Sequence, residues 1–451
     1  MQKTFSIITM GCKLNQFDSE LMRQSLLRRN WVHRPVEGEA RVCIINSCTV
    51  TSRSDARCRN AVRRVRRASP DAFIVVTGCY AETQPNCLEG MAEVDLVLGN
   101  AGKESIAAAL DRIAAGEKLP ARKAGAVAVS APGIPAGGIE TFFGHARAFV
   151  KIQDGCDASC SYCIVPRARG RARSVPVESV LEQVRVLSAN GYREMVLTGI
   201  HIGRFGADLE PPDSLAGLLE EMLRSDPQIR IRLSSLEPTE VNSRIIELMR
   251  AGDRIAPHLH IPLQSGDDRT LAAMSRNYRA AEFRAVIENV ARELGNVAIG
   301  TDIIVGFPGE TEERFENTFR LVHDLPFSYL HVFAFSSRPE TAAAAMDAPV
   351  RADAARRRSR RLIELGASKR RAFLQSQVGR SAIAVIEGPV SQSSSFTRSL
   401  TGNYCEVLLP RNAAPRGTLA RIRVARFSRG SLYGEIAAPI GAAAAPDRNG
   451  V

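Results

Sequence analysis

The stretch Ala148-Phe149-Val150-Lys151-Ile152-Gln153-Asp154-Gly155-Cys156-Asp157-Ala158-Ser159-Cys160-Ser161-Tyr162-Cys163 decides how the middle of this chain is read. Ala148–Ile152 is a short apolar run, as a buried strand requires. Three thiols follow directly, four and then three residues apart, in the loop at the strand's C-terminal end. Barrels of alternating strands and helices carry their chemistry at that end. Three thiolates leave a tetrahedral structural zinc one ligand short. They can hold three irons of a cubane cluster and leave the fourth iron open. A zinc site completed by a distant fourth residue is the competing reading, and the position after a barrel strand counts against it.

Reading outward toward the C-terminus, candidate strands recur at Met195–Leu197, Ile229–Leu233, His258–Pro262, Val297–Val305 and Tyr329–Phe335. Helical patterns lie between them, at Val177–Asn190, Leu215–Arg224, Ser243–Ala251, Ala280–Leu294 and Glu312–His323. Six strand–helix units are too few for a closed eight-fold barrel and fit an open, partial one. His258 and His260 alternate on one strand and share a face, which suggests a metal pair or, more simply, packing and hydrogen bonding inside the barrel.

Reading toward the N-terminus, Leu119 to Phe142 is rich in Pro, Gly and Ala and reads as a linker. Before it, Thr4–Thr9, Val42–Ile45 and Phe73–Thr77 are buried-strand patterns separated by candidate helices at about 17–29 and 54–68. That alternation implies a parallel sheet with right-handed crossovers. Gly11-Cys12, Ser47-Cys48 and Gly78-Cys79 each follow one of these strands. In an open α/β sheet the carboxyl ends of parallel strands line one crevice. Three more thiols are therefore expected to converge, far apart though they are in sequence. Cys43, Cys58, Cys87 and Cys405 are left as ordinary residues.

The chain has 451 residues, 24% of them charged and 45% hydrophobic, which excludes wholesale disorder and suggests about three domains. No segment has the roughly 18 uninterrupted apolar residues of a membrane span. No small-residue cleavage site precedes Cys12, so a lipoprotein-type start is not expected and the cytoplasm is the expected location. Ten cysteines in such a chain read as metal ligands or reactive thiols before disulfides. The net charge of +12 is carried by residues 351–451, which hold 18 Lys+Arg and 6 Asp+Glu, while the rest is neutral. A neutral body with a basic C-terminal quarter is the footprint of a polyanion-binding module. That quarter opens with a basic helix, Ala352–Gln375, and continues as short strand patterns at Ile383–Ile386, Tyr404–Leu409, Ala420–Val424 and Ser431–Ile436. Short strands at this spacing suggest a small closed barrel of the oligonucleotide-binding kind.

In this setting Cys156, Cys160 and Cys163 resemble the cluster motif of the radical S-adenosylmethionine superfamily. Ile164 to Ser174, with Arg169, Gly170, Arg173 and Ser174 at the recurrent positions, resembles its methylthiotransferase branch. So do Ser234-Ser235-Leu236-Glu237-Pro238, His260 to Gly266 and Asp302 to Glu310. The N-terminal half is similar to that family in Gly11-Cys12-Lys13-Leu14-Asn15, Asp18-Ser19-Glu20, Asn46 to Val50 and Gly78-Cys79-Tyr80-Ala81. Glu82 departs from it, since relatives usually show Gln there. Thr401-Gly402-Asn403-Tyr404 resembles the family's small RNA-binding domain, and the likeness spans about 1–438.

The resemblance implies an α/β fold with an N-terminal open parallel sheet domain (1–118), a linker (119–142), a partial (β/α)6 radical-SAM barrel (143–375), a small OB-like TRAM β-barrel (376–438) and a disordered tail (439–451). It implies two [4Fe–4S] clusters. One is held by Cys156, Cys160 and Cys163, where S-adenosylmethionine is cleaved to a 5′-deoxyadenosyl radical. The other is an auxiliary cluster on Cys12, Cys48 and Cys79 that carries the sulfur. Gly199, Glu237, Gln264 and Asp302 are the implied S-adenosylmethionine contacts. An electron donor and a sulfur source are implied partners, as is a tRNA anticodon loop, with no membrane.

Several functions compete. A cobalamin-dependent radical methylase needs an Asp-x-His-x-x-Gly motif, and none of the seven histidines has an aspartate two residues before it. A non-catalytic, metal-containing RNA-binding protein leaves two open three-thiolate sites as an accident. Within the family, the loop Leu197-Thr198-Gly199-Ile200-His201-Ile202-Gly203-Arg204-Phe205-Gly206 is similar to that of enzymes acting on N6-threonylcarbamoyladenosine at tRNA position 37. The isopentenyladenosine branch has Gly-Gln-Asn there, and the branch modifying an aspartate of a ribosomal protein has Gln-Asp. The expected activity is methylthiolation of carbon 2 of the threonylcarbamoyl-modified base, with those two targets as alternatives.

Overall fold

The structure is a computed structural model that describes residues 3–35, 39–117, 122–123 and 138–440. The chain opens with β1 (Thr4–Thr9), α1 (Lys13–Leu27), β2 (Val32–His33), β3 (Val42–Ser47), α2 (Ser52–Ala68), β4 (Phe73–Gly78), α3 (Cys79–Thr83), α4 (Pro85–Glu89), β5 (Leu96–Leu98), α5 (Ile106–Ala114) and β6 (Arg122–Lys123). Then come β7 (Ala148–Lys151), β8 (Gln153–Asp154), α6 (Val165–Arg169), β9 (Arg173–Ser174), α7 (Val177–Ala189), β10 (Glu194–Thr198), α8 (Leu215–Ser225), β11 (Arg230–Leu233) and α9 (Ser243–Arg250). They are followed by β12 (His258–His260), α10 (Asp268–Ala273), α11 (Ala280–Leu294), β13 (Ala298–Val305), α12 (Glu312–Asp324), β14 (Tyr329–Ala334) and α13 (Ala352–Ser376). The last strands are β15 (Ser381–Pro389), β16 (Phe396–Thr401), β17 (Glu406–Pro410), β18 (Leu419–Ser428) and β19 (Ser431–Ile440).

The chain divides into two compact units. The first holds the N-terminal 139 residues together with 153–175 and 336–344. Its sheet runs β2-β1-β3-β4-β5-β6, and every pair is parallel. β3 is buried along its whole length, because helices cover both faces of a parallel sheet and leave no polar side. Two cores result, one around Ile45, Val62, Ile74 and Val76, the other around Phe5, Met22, Trp31 and Leu110. The fold departs from the sequence pattern in three places. α1 starts at Lys13, before the expected start at about 17, and Asp18 lies buried inside the helix, ion-paired with Lys103. Within the stretch read as a linker, Arg122–Lys123 adds a sixth strand by pairing with β5, while most of the remainder lies outside the described residues. The tail read from 439 begins inside β19, and its last eleven residues are likewise outside the described ones.

In the second unit, β11-β10-β7 and β12-β13-β14 are parallel three-stranded sheets. Single parallel bridges, Ile231 to Ile255 and Ser235 to His260, join them. The result is the six-stranded open barrel expected from the six strand–helix units. β15 to β19 form a closed five-stranded barrel in the order β15-β16-β17-β19-β18, packed around Ala384, Ile386, Val407, Ile422 and Leu432. Phe396–Thr401 is a strand that its Ser-rich context hid from the sequence reading. Among the described residues no helix is long and apolar enough to cross a membrane.

Candidate active site

β1, β3 and β4 are adjacent and parallel, so their carboxyl ends share one edge of the sheet. Cys12 caps α1, Cys48 follows β3, and Cys79 opens α3 after β4. Gly11 sits at φ +95°, and a Cβ there would lie 2.7 Å from the Cβ and 2.9 Å from the Sγ of Cys48. Only a residue without a side chain lets the loop carrying Cys12 come this close. Burial pushes the Cys48 thiol up to about 11, and the neighbouring charges of Cys79 and Cys12 add to the rise. Three thiolates this close repel one another, and a bound cation removes that penalty. Beneath them lies a buried polar floor. Asn15 Nδ2 donates to the carbonyls of Met10 (2.7 Å) and Ser47 (2.9 Å), and Asn46 Nδ2 donates to the Asn15 carbonyl and to Ser19 Oγ. Glu82 accepts from the Asn100 backbone N–H at 2.7 Å, so the departure noted in the sequence has a local hydrogen-bonding role.

Cys156, Cys160 and Cys163 belong to the same unit and are all partly exposed. Their loop leaves the two-stranded ribbon of β8 and β9. Gly155, at φ +71°, is obligatory, since a Cβ there would lie 1.9 Å from the Arg171 carbonyl oxygen. The Cys156 N–H donates to the Gly170 carbonyl (3.0 Å) and the Cys163 N–H to the Cys160 carbonyl (3.0 Å). The Ala158 N–H points at Cys156 Sγ (3.4 Å), as donors to a thiolate do.

Arg169 ties the two thiol sets together. Its Nη1 donates to both oxygens of Asp154 (3.1 and 3.2 Å), the residue whose Oδ1 also holds the Gly155 N–H. Its Nη2 donates to Asn15 Oδ1 (2.5 Å) and Asp18 Oδ2 (3.1 Å), and Lys103 shares Asp18 at 2.7 Å. Its Nε has no partner among the described residues. Burial alone would lower the pKa of this guanidinium, but Asp154, Cys79, Asp18 and Cys12 together hold it well above the usual range. A buried cation beside Cys12 and Cys79 suits an anionic cluster there, while Asp154 connects it to the turn that carries Cys156. Residues 336–344 also return to this unit, where Arg338 binds Thr49 (2.9 Å) and Asp55 (2.6 Å), and the Ala343 N–H meets the Ser161 carbonyl (2.8 Å).

The four implied cofactor contacts belong to the second unit. Gln264 and Asp302 are brought together: the Gln264 N–H donates to the Asp302 carbonyl (2.8 Å), with Gln264 at φ +65°. The Asp302 carboxylate accepts from His260 Nε2 (2.9 Å) and His331 Nδ1 (3.0 Å). Its burial raises the pKa, but these two donors prevail and hold it at about 2. The Glu237 carboxylate is engaged by Arg276 and caps the turn at Pro238–Glu240, and Gly199 lies in the loop after β10. His258 and His260 do not form a metal pair with each other: His258 bonds the Tyr329 hydroxyl (2.8 Å), and His260 bonds Ser235 and Asp302. His260, Asp302 and His331 do bring three possible ligand atoms within 4.8 Å.

Residues 150–322 match the Radical SAM superfamily, and residues 4–99 match "Uncharacterized protein family UPF0004". The chain is 34% identical over 407 residues to a protein of Aquifex aeolicus named threonylcarbamoyladenosine tRNA methylthiotransferase MtaB, covering 88% of this chain and 95% of that one. The chain belongs to the radical S-adenosylmethionine methylthiotransferase family. A Bacillus subtilis protein of the same name is 34% identical, with 93% of each chain covered. Among solved structures, the radical S-adenosylmethionine methyltransferase TsrM of Kitasatospora setae aligns with a TM-score of 0.54 over 74% of this chain and 75% of its own. At 16% identity that likeness concerns the fold alone. In this methylthiotransferase Arg169 occupies a recurrent motif position, but the sequence does not mark it as the link between the two thiol sets. A basic residue two turns after a cysteine motif gives no sign of which buried carboxylates it will meet.

Proposed function

We propose that this enzyme transfers a methylthio group to carbon 2 of N6-threonylcarbamoyladenosine at position 37 of tRNA. The observation that carries the chemistry is the presence, in one compact unit, of two three-thiol sets linked through buried Arg169. Cys12, Cys48 and Cys79 would hold an auxiliary [4Fe–4S] cluster, and Cys156, Cys160 and Cys163 the cluster that meets S-adenosylmethionine. Bound there, the clusters and S-adenosylmethionine, as both methyl donor and radical source, supply the sulfur, the methyl group and the radical. The protein positions and encloses. Gly11 lets the Cys12 loop approach Cys48, Gly78 lets the chain before Cys79 pass close to Ser47, and Asp154 fixes the turn into the Cys156 loop. Arg169 offsets the anionic charge of the Cys12/Cys48/Cys79 set and, through Asp154, braces the turn into the other. Gly199, Glu237, Gln264 and Asp302 are the proposed contacts for the cofactor, with Asp302 kept anionic by its two histidines.

The substrate assignment rests on the names of the two relatives quoted and on the loop Leu197–Gly206. An anticodon loop is single-stranded, so its base can be splayed out without breaking a duplex. An electron donor and a sulfur source complete the reaction, which is placed in the cytoplasm. Anaerobic reconstitution should load about eight irons, as two four-iron clusters. Replacing Cys156, Cys160 and Cys163 with Ala should leave about four and abolish 5′-deoxyadenosine formation. The matching replacement of Cys12, Cys48 and Cys79 should spare that product and stop sulfur insertion. A Cys156/Cys160/Cys163 variant that still forms 5′-deoxyadenosine would sink the cluster assignment. Nucleoside mass spectrometry of a deletion strain tests the target. The loss of a methylthio group from isopentenyladenosine, or from a ribosomal-protein aspartate, would overturn the substrate.

A further inference from the structure

α2 starts four residues after Cys48 and presents two very different faces. Asp55, Cys58, Ala61, Val62 and Val65 are buried against the sheet. On the opposite side Arg53, Arg57, Asn60, Arg64 and Arg67 are all exposed. Their spacing of four, three, four and three residues puts them in one line along the helix. From Arg53 to Arg67 that line is about 21 Å long at 1.5 Å per residue. The only acidic residue of α2, Asp55, is buried and bound by Arg338 and Thr49, so it does not offset the line. Arg53, Arg57 and Arg67 form no ion pair among the described residues. Of the three arginines off this line, Arg59 bonds the Tyr80 hydroxyl (2.7 Å), Arg66 bonds Asp95 (2.7 Å) and three backbone carbonyls, and the exposed Arg63 lies 4.0 Å from Glu93. A merely solvated helix face carries both signs of charge, since i,i+4 pairs of opposite sign stabilise it and like charges at that spacing repel. Four arginines in line therefore cost helix stability, and a polyanion laid along them removes the cost.

We propose that this arginine line is a contact surface for the tRNA phosphate backbone, separate from the basic C-terminal quarter. The inference rests on the tRNA reading above and adds a place where the substrate is held. The line begins at Arg53, five residues beyond Cys48, so backbone gripped by α2 leads toward the thiol set. Arginine suits the task because its planar guanidinium meets phosphate oxygens with two hydrogen bonds at once.

The test uses the full-length protein with Arg53, Arg57, Arg64 and Arg67 all changed to Gln, beside a control with the exposed Arg398, Arg411, Arg421 and Arg423 of the small barrel changed to Gln. Binding of fluorescently labelled tRNA is measured by anisotropy from about 50 to 300 mM NaCl. Each lost phosphate contact removes about 0.7–0.9 from the slope of log K against log [salt], so the α2 variant should lose about three from that slope. At 0.1 M salt its affinity should fall at least about tenfold. Its thermal unfolding should be no lower than wild type, because every changed side chain is exposed and the like-charge repulsion along the helix is relieved. An α2 variant with the wild-type slope and affinity overturns the proposal, and a loss confined to the control places the grip on the small barrel instead. A wild-type protein that binds tRNA no better than it binds an unrelated polyanion such as heparin overturns the tRNA reading itself.

Discussion

Replacing Glu194 with Gln should detach the small C-terminal barrel from the partial barrel within the second unit. Glu194 is wholly buried on β10 and accepts from Arg230 Nε and Arg232 Nε, each at 2.7 Å. The same two arginines reach the small barrel. Arg232 donates to the carbonyls of Gly402 (2.8 Å) and Thr401 (3.0 Å), and Arg230 to that of Ile383 (2.6 Å). Tyr404 completes the contact, stacked on His258 at 4.4 Å between ring centres. Burial pushes the Glu194 carboxyl upward, but Arg230 and Arg232 outweigh it and hold the group at about 2. The ion pair is therefore fully formed at neutral pH, and its contribution is lost only as pH falls through about 2. The amide keeps the shape but removes the charge, leaving two guanidinium groups buried without a counter-ion. Breaking a buried pair from one side costs about 3–5 kcal/mol. At ~2–4 °C per kcal/mol for a large domain, the transition of this unit should fall by roughly 6–20 °C. Scanning calorimetry of the metal-free protein at neutral pH reads that shift. Limited proteolysis should cut sooner in the connection after α13. A variant melting within about 2 °C of wild type would refute the reasoning, because that small a change implies a pair worth under about 1 kcal/mol. Deleting residues 380–451, which removes nine Arg and four acidic residues, also strips these carbonyl acceptors from Arg230 and Arg232. Such a truncation should lower the stability of the partial barrel as well as the affinity for RNA.

Two further outcomes concern the site. Arg169→Ala leaves Asp154 buried without its cation, so it should lower the stability of the first unit by about 3–5 kcal/mol and reduce iron retained after reconstitution, whereas Arg169→Lys should keep most of the iron. An Arg169→Ala protein with wild-type melting and full iron content would show that the buried link is dispensable. For Asp302 the folded-state pKa of about 2 lies below the usual carboxylate value, so its stabilising effect is complete above about pH 4 and disappears as pH falls through 2. Wild type should therefore be more stable than Asp302→Asn at pH 5 by on the order of 2 kcal/mol, with the gap closing toward pH 2. Denaturant titrations of metal-free protein at pH 5, 4 and 3 check this, and a gap independent of pH would count against the two-histidine arrangement.

The sequence alone determined the order and type of most elements, because local chemistry encodes them. β-branched runs such as Val42–Ile45 and Phe73–Thr77 are strands wherever a sheet can take them. A cysteine just after such a strand lies at its carboxyl end by chain connectivity, so the two thiol sets were legible without coordinates. The same holds for the six strands of the partial barrel and the basic bias after residue 351. Only the tertiary structure decided which distant polar groups share a low-dielectric interior. It placed Asp18 inside α1 against Lys103 and Arg169, where the sequence pattern has the helix only beginning. It moved residues 336–344 into the first unit, paired Arg122–Lys123 with β5, and turned His258 and His260 to Tyr329 and Asp302. It also joined Glu194 to Arg230 and Arg232 beneath the small barrel. The reason is physical: a strand or helix pattern repeats within a few residues, whereas a buried charge finds its partner through the packing of the whole domain.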